Sequence, residues 1–304
     1  MTTTSPRATT PDSDKPGGAS HSKFAAASRK VSLQVPSLLD RLRTRISTGR
    51  PPVWLEATFI VWLLWIYDAI NNLSPLRIAA AHSNSASFLH LEEILHIDPE
   101  ASMDHWLASH HTLAVIVANY YDNAHFVFTL GALGLLWWKR PDLYRPLRNT
   151  MIVANLLGMA VFWLFPSDPP RLFNPKVYTD VVALTHAIGS WHAGTLATAA
   201  NQLAAMPSLH MAWAVWTALV VWRMLPSRWW RNVTWLYPAM TAYAVIATGN
   251  HFLLDVIAGI VDLILSMMIA DWWQRRQARR GRGVLLADYE VPSRSASSGS
   301  IVSA

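Results

Sequence analysis

Apolar residues in this chain fall into long, nearly unbroken runs, without the alternation of a half-buried strand or the one-sided stripe of a soluble helix. Six runs approach the roughly 20 residues needed to cross a hydrocarbon core: 53–72, 122–138, 149–166, 208–225, 232–249 and 252–273. Backbone in lipid must satisfy its own hydrogen bonds, so runs of this length are read as helices. The predicted fold is an all-α integral membrane protein, a six-transmembrane-helix bundle. Residues 107–118 (LASHHTLAVIVA) are too short and too polar at their start for a further span. They are expected as an outer-surface or re-entrant segment, or as an extension of the helix at 122. Residues 1–30 are rich in Ser, Thr, Ala, Pro and Gly, lack the apolar core of a cleavable signal peptide, and are expected to be disordered. Between 31 and 50, Val31, Leu38, Leu39, Leu42 and Ile46 mingle with Arg41, Arg43, Arg45 and Arg50. That mixture suits a short helix on an anionic membrane surface or a solvated basic tail. The chain thus divides into a tail (1–50), a membrane domain (51–273) and a basic, disordered second tail (274–304).

Composition strengthens this picture. Of 304 residues, 52% are hydrophobic and 14% charged, against roughly 25% charged in an average soluble domain. A water-soluble two-domain enzyme is the class this most nearly excludes. The absence of Cys removes disulfides and thiolate metal sites. The net charge of +6 is unevenly distributed: 22 Lys and Arg fall on one side of the predicted spans and only Arg77, Arg171 and Lys176 on the other. The positive-inside rule then predicts cytoplasmic termini and two extracytoplasmic segments, 73–121 and 167–207, in the plasma membrane. Of 12 histidines, only His21 lies in a tail; the other eleven fall on the outer side.

Ionisable groups are costly within a membrane, which makes each a candidate for function. His251 and Asp255, four residues apart where the sixth run begins, share one helix face. A carboxylate accepting from one imidazole nitrogen leaves the other as nucleophile or base. Pro207, Ser208 and His210 open the fourth run with the residue types of a helix start, whose N-terminus favours anions. Arg171, in Pro169-Pro170-Arg171 beyond the third run, has the planar fork that suits phosphate. All three clusters land at the outer boundary, the set needed for phosphoryl transfer through a phosphohistidine.

Pro207-Ser208-Leu209-His210 followed by His251-x-x-x-Asp255 resembles the second and third signature motifs of the type-2 phosphatidic acid phosphatase superfamily. Pro169-Pro170-Arg171 and Tyr120-Tyr121-x-x-x-His125 look closest to its branch containing inositol phosphorylceramide synthase and related bacterial lipid phosphatases. The resemblance covers about residues 50–273. It implies metal-independent catalysis without cofactor, His251 as nucleophile, Asp255 as its orienting partner, His210 as acid–base residue, and Ser208 and Arg171 as phosphate ligands. The chain departs from the usual pattern at Leu209, at Leu164 and Leu172 around Arg171, and at Val245 before the nucleophile, losing two cationic clamps. His125, when protonated, is the candidate to supply part of the missing charge.

The expected activity is hydrolysis of a lipid phosphate or diphosphate at the extracytoplasmic face. Transfer of the phospho-head group to an alcohol such as inositol is the alternative. A non-enzymatic lipid transporter is a reading of another class; it calls for polar residues through the full depth of the spans, whereas these cluster at one end. The outer stretch 82–111, with His82, His90, His96, His105, His110, His111 and several carboxylates, is read as a polar surface helix in preference to a Zn²⁺ site. Asp262, seven residues beyond Asp255, is read as structural. The Arg275–Arg280 run is read as a membrane stop anchor, with no part in nucleic-acid binding.

Overall fold

A computed structural model describes residues 51–73, 77–185 and 203–289, all within one compact unit, Leu38–Ala304. The expected N-terminal surface helix, His21 and the last residues of the second tail lie outside the described residues, as does the side chain of Asp68. Among the described residues the chain is helical, and the one β feature is an isolated bridge between Ser167 and Ala204. The long helices are α1 (Val53–Leu73), α2 (Ile78–Leu95), α4 (His111–Lys139), α5 (Pro141–Leu164), α8 (Leu209–Met224), α10 (Leu236–Ala247) and α11 (Leu253–Tyr289). Shorter ones are α3 (Glu100–Ala108), α6 (Pro170–Phe173), α7 (Val181–Leu184) and α9 (Arg228–Val233).

Each predicted span falls on a helix. Two of them, Pro141–Leu164 and Leu253–Arg279, are long and apolar enough to cross a membrane. Helix α8 has 16 residues and α10 only 12. Residues from His111 onward extend the helix at 122, one of the expected alternatives for that segment. Helix α11 runs to Tyr289, so residues 274–289, expected as disordered tail, are helical.

Helix α8 is the centre of the bundle and packs against α4, α5, α10 and α11. Trp216, fully buried, anchors it: its indole nitrogen donates to the Leu147 carbonyl of α5 at 2.9 Å, among Leu136, Tyr144, Val220 and Leu263. Helix α11 crosses the start of α8 so closely that a Cβ on Gly259 would lie 2.2 Å from the Ser208 carbonyl oxygen. Only glycine lets these two helix starts, which carry the candidate chemistry, come together.

Helix α11 also reverses the burial pattern of a soluble helix. Ile257, Val261, Ile264, Leu265, Met268 and Ile269 are exposed, while Asp255, Asp262 and Ser266 are buried. An apolar outer surface over a partly polar interior is the arrangement favoured by a lipid surround. Indole rings hold cations at the predicted inner end: Lys139 over Trp138, Arg231 over Trp222 and Arg276 over Trp272.

Candidate active site

Four segments build the site: the start of α11, the start of α8, the middle of α4, and the loop and short helix around Arg171. The α10–α11 turn sets His251. Helix α10 ends with Gly249 at φ +70°, in the left-handed region. The amides of Asn250 and His251 then both donate to the Val245 carbonyl, at 3.1 and 3.0 Å. Gly249 is wedged: a Cβ there would meet the Thr179 carbonyl oxygen at 2.8 Å and Asp104 Oδ2 at 3.3 Å.

His251 Nδ1 lies 3.5 Å from Asp255 Oδ2, within ion-pair range but without the geometry of a hydrogen bond. That looseness is common before substrate binds. Asp255, buried, reaches back to the Phe252 amide at 2.9 Å, the N3-to-N-cap half of a capping box. Its backbone carbonyl accepts from the Ser208 amide at 2.9 Å, tying the two helix starts together. Ser208 caps α8, its Oγ accepting from the Met211 amide at 3.4 Å.

His210 projects from the first turn of α8 into a row of rings. Its ring stands edge-on to His251 at 5.7 Å and to His125 at 4.4 Å, and stacks on Tyr121 at 4.7 Å. His125 Nδ1 is 3.0 Å from the Tyr121 carbonyl and must donate to it, which directs Nε2 elsewhere. A small cavity lies on this side of His210, lined by Tyr120, Tyr121, His125, Thr241, Ala244 and Val245 among others. Val245, where the usual pattern has a cation, is buried in the apolar cluster of Met211, Ile246 and Val256.

Arg171 is 6% exposed. Its amide donates to the Gly249 carbonyl at 3.0 Å, and its Nε reaches Asp180 Oδ2 at 3.1 Å. Its Nη1 is buried without a hydrogen-bond partner. A buried charged donor lacking an acceptor is costly unless a ligand completes it. The preceding loop is docked on α2: Ser85 Oγ donates to the Asp168 carbonyl at 3.0 Å and accepts from the Asp168 amide at 2.8 Å. His82 Nδ1 lies 3.3 Å from Asp168 Oδ2, and that contact opposes the upward push of burial on the Asp168 carboxyl. The sequence-derived candidates His251, Asp255, His210, His125, Ser208 and Arg171 are thus brought to one region.

The outer segment differs from expectation. The stretch read as a polar surface helix contributes Glu92, Glu100 and Asp104 to the interior, all fully buried. Asp104 Oδ1 accepts from the Thr179 amide at 2.9 Å, while burial pushes its carboxyl upward. Glu100 Oε1 accepts from the Leu253 amide at 2.7 Å, and Glu92 Oε1 from the Leu254 amide at 2.6 Å. Glu92 and Glu100, together with Asp255, therefore satisfy the first free amides at the start of α11. The local clue was the helix break between the glutamates, with His96 at φ 54° and Pro99 at the next N-cap. Among the described residues no three His, Asp or Glu side chains are grouped to hold a metal.

A family model described as the PAP2 superfamily matches residues 86–269, more than half of the chain, and includes His251, Asp255, His210, His125, Ser208 and Arg171. The chain belongs to the PAP2 superfamily, whose members are phosphatases, and membership implies phosphatase or phosphotransferase activity on phosphoesters. No curated protein and no solved structure matches it.

Proposed function

We propose that this protein is a six-span plasma-membrane enzyme that removes phosphate from a lipid phosphate or diphosphate at the extracytoplasmic face. The observation that carries the reading is the buried, unpartnered Nη1 of Arg171, on a residue bonded to the turn that presents His251. A phosphoryl oxygen is the acceptor that suits it. The charge asymmetry of the loops supports cytoplasmic termini and an outward-facing site. The apolar outer face of α11 supports a lipid surround for the substrate's tail.

In this mechanism Asp255 holds Nδ1 of His251, leaving Nε2 to attack phosphorus. The P–O bond to the lipid breaks as His210 gives its proton to the leaving oxygen, and a P–N bond forms. Water then attacks the phosphohistidine, His210 takes its proton, and the P–N bond breaks to release inorganic phosphate. Arg171 and Ser208 stabilise the phosphoryl oxygens, and His125, its Nδ1 donating to the Tyr121 carbonyl, packs edge-on against His210. No step draws on a metal or cofactor.

The Pro-Pro-Arg and Tyr-Tyr-x-x-x-His motifs favour a second reading, in which an alcohol such as inositol replaces water. Purified protein in detergent, offered a panel of lipid phosphates, tests both. Phosphate release supports hydrolysis, head-group exchange supports transfer, and neither in any lipid refutes the enzyme reading and leaves lipid transport.

A further inference from the structure

The carboxyl pair behind the nucleophile has no role in the chemistry above, yet it is built into the helix that carries it. Glu92 comes from α2 and Glu100 from α3; both are 0% exposed. Each uses Oε1 to accept from a first-turn amide of α11, where a carboxylate also meets the positive end of the helix dipole. The remaining oxygens, Oε2 of each, are buried without a hydrogen-bond partner, and the amides that Oε1 of each accepts from belong to successive residues of α11, which sets the two carboxyls side by side. Two ionised carboxylates in one water-free site repel strongly, whereas a carboxyl donating to a carboxylate satisfies both.

We propose that Glu92 and Glu100 are positioning residues for His251: they share one proton, clamp the amides of Leu253 and Leu254, and thereby fix the turn that sets His251 against Asp255. The proposal rests on the reading of His251 as nucleophile. The other ionisable groups around the pair are Glu93 on α2, Asp98 in the turn between the glutamates, Tyr178 in the loop, and Asp255 on α11. Helix α6, packed against α2, carries Arg171. Carboxylates outnumber cations here, which favours keeping the proton.

Burial raises the Glu92 carboxyl from 4.5 to about 8, and the neighbouring Glu100 and Asp255 add to the rise. The sign follows from linkage. Above pH 4.5 the unfolded chain has released a proton that the folded protein keeps until about pH 8. The stability contributed is complete below the lower value and is lost as pH rises through the upper one. Loss of the proton also loosens the clamp, so turnover should fall on the alkaline side.

Glu92→Gln separates this role from simple structure. Its carbonyl can keep the Leu254 amide, and its NH₂ can donate to Glu100, so it imitates the protonated pair at every pH. The experiment compares the parent, Glu92→Gln and Glu92→Leu for thermal midpoint and for turnover of a lipid phosphate, from about pH 6 to about pH 9. The parent should lose midpoint and about tenfold in turnover across the range, and Glu92→Gln less than about threefold. Glu92→Leu should lose midpoint and turnover throughout. Coincident midpoint profiles for parent and Glu92→Gln would overturn the shared proton. Diverging midpoints with superimposed alkaline limbs would overturn the positioning role. A parent inactive on every lipid would refute the phosphatase reading and the positioning role with it, while the midpoints, which need no turnover, would still judge the shared proton.

Discussion

Gly249→Ala is the sharpest perturbation the site allows, because it adds one methyl group and no charge. Gly249 sits at φ +70°, where an L-residue is strained, at about 1–2 kcal/mol. The new Cβ would lie 2.8 Å from the Thr179 carbonyl oxygen, a backbone atom that cannot swing aside. Thr179 is itself fixed, since its amide donates to Asp104 Oδ1 at 2.9 Å. The turn must therefore move as a unit, taking with it His251, two residues on, and the Gly249 carbonyl that accepts from Arg171. Strain and clash together amount to about 2–4 kcal/mol, a fall in thermal midpoint of roughly 5–15 °C. A displacement of about 1 Å at the nucleophile costs on the order of 100-fold in turnover. Gly134→Ala is the control, because a Cβ there meets nothing within 4 Å on a helix; it should be neutral or stabilising by about 0.5–1 kcal/mol. Midpoints and kcat in one detergent decide the matter. A Gly249→Ala protein matching the parent in both would refute the wedge and the coupling of this turn to the chemistry.

Replacing His210 with Ala should slow a lipid alkoxide leaving group about 10²–10⁴-fold but affect an aryl phosphate far less, because a good leaving group needs no proton. Equal losses on both substrates would remove the acid role. Arg171→Lys should lower kcat/KM about 10–100-fold, because an ammonium cannot hold Asp180 with one nitrogen and phosphate with another; unchanged kinetics would place the phosphate elsewhere.

Much of the fold was legible because its helices are written as long apolar runs. All six predicted runs coincide with helices. His251–Asp255 and Ser208–His210 could be seen because their partners are local, set by helix spacing and capping. Arg171 was singled out by its rarity on the outer side. Glu92 and Glu100 were missed for the opposite reason. Each lies among His and Glu residues that read as a solvated face, and each finds its amide partner more than 150 positions away. Neither local spacing nor periodicity carries that information. The length of α11 was also hidden, because its polar end continues a helix after the apolar run has stopped.

The central claim is that His251 becomes phosphorylated. Brief mixing of the protein with a radiolabelled lipid phosphate, followed by denaturation in alkali, tests it most directly, since phosphohistidine survives base and is lost in acid. The account predicts acid-labile label on the peptide containing His251 and none in the His251→Ala protein. Phosphate release at the parent rate from His251→Ala, or label on any other residue, would contradict it.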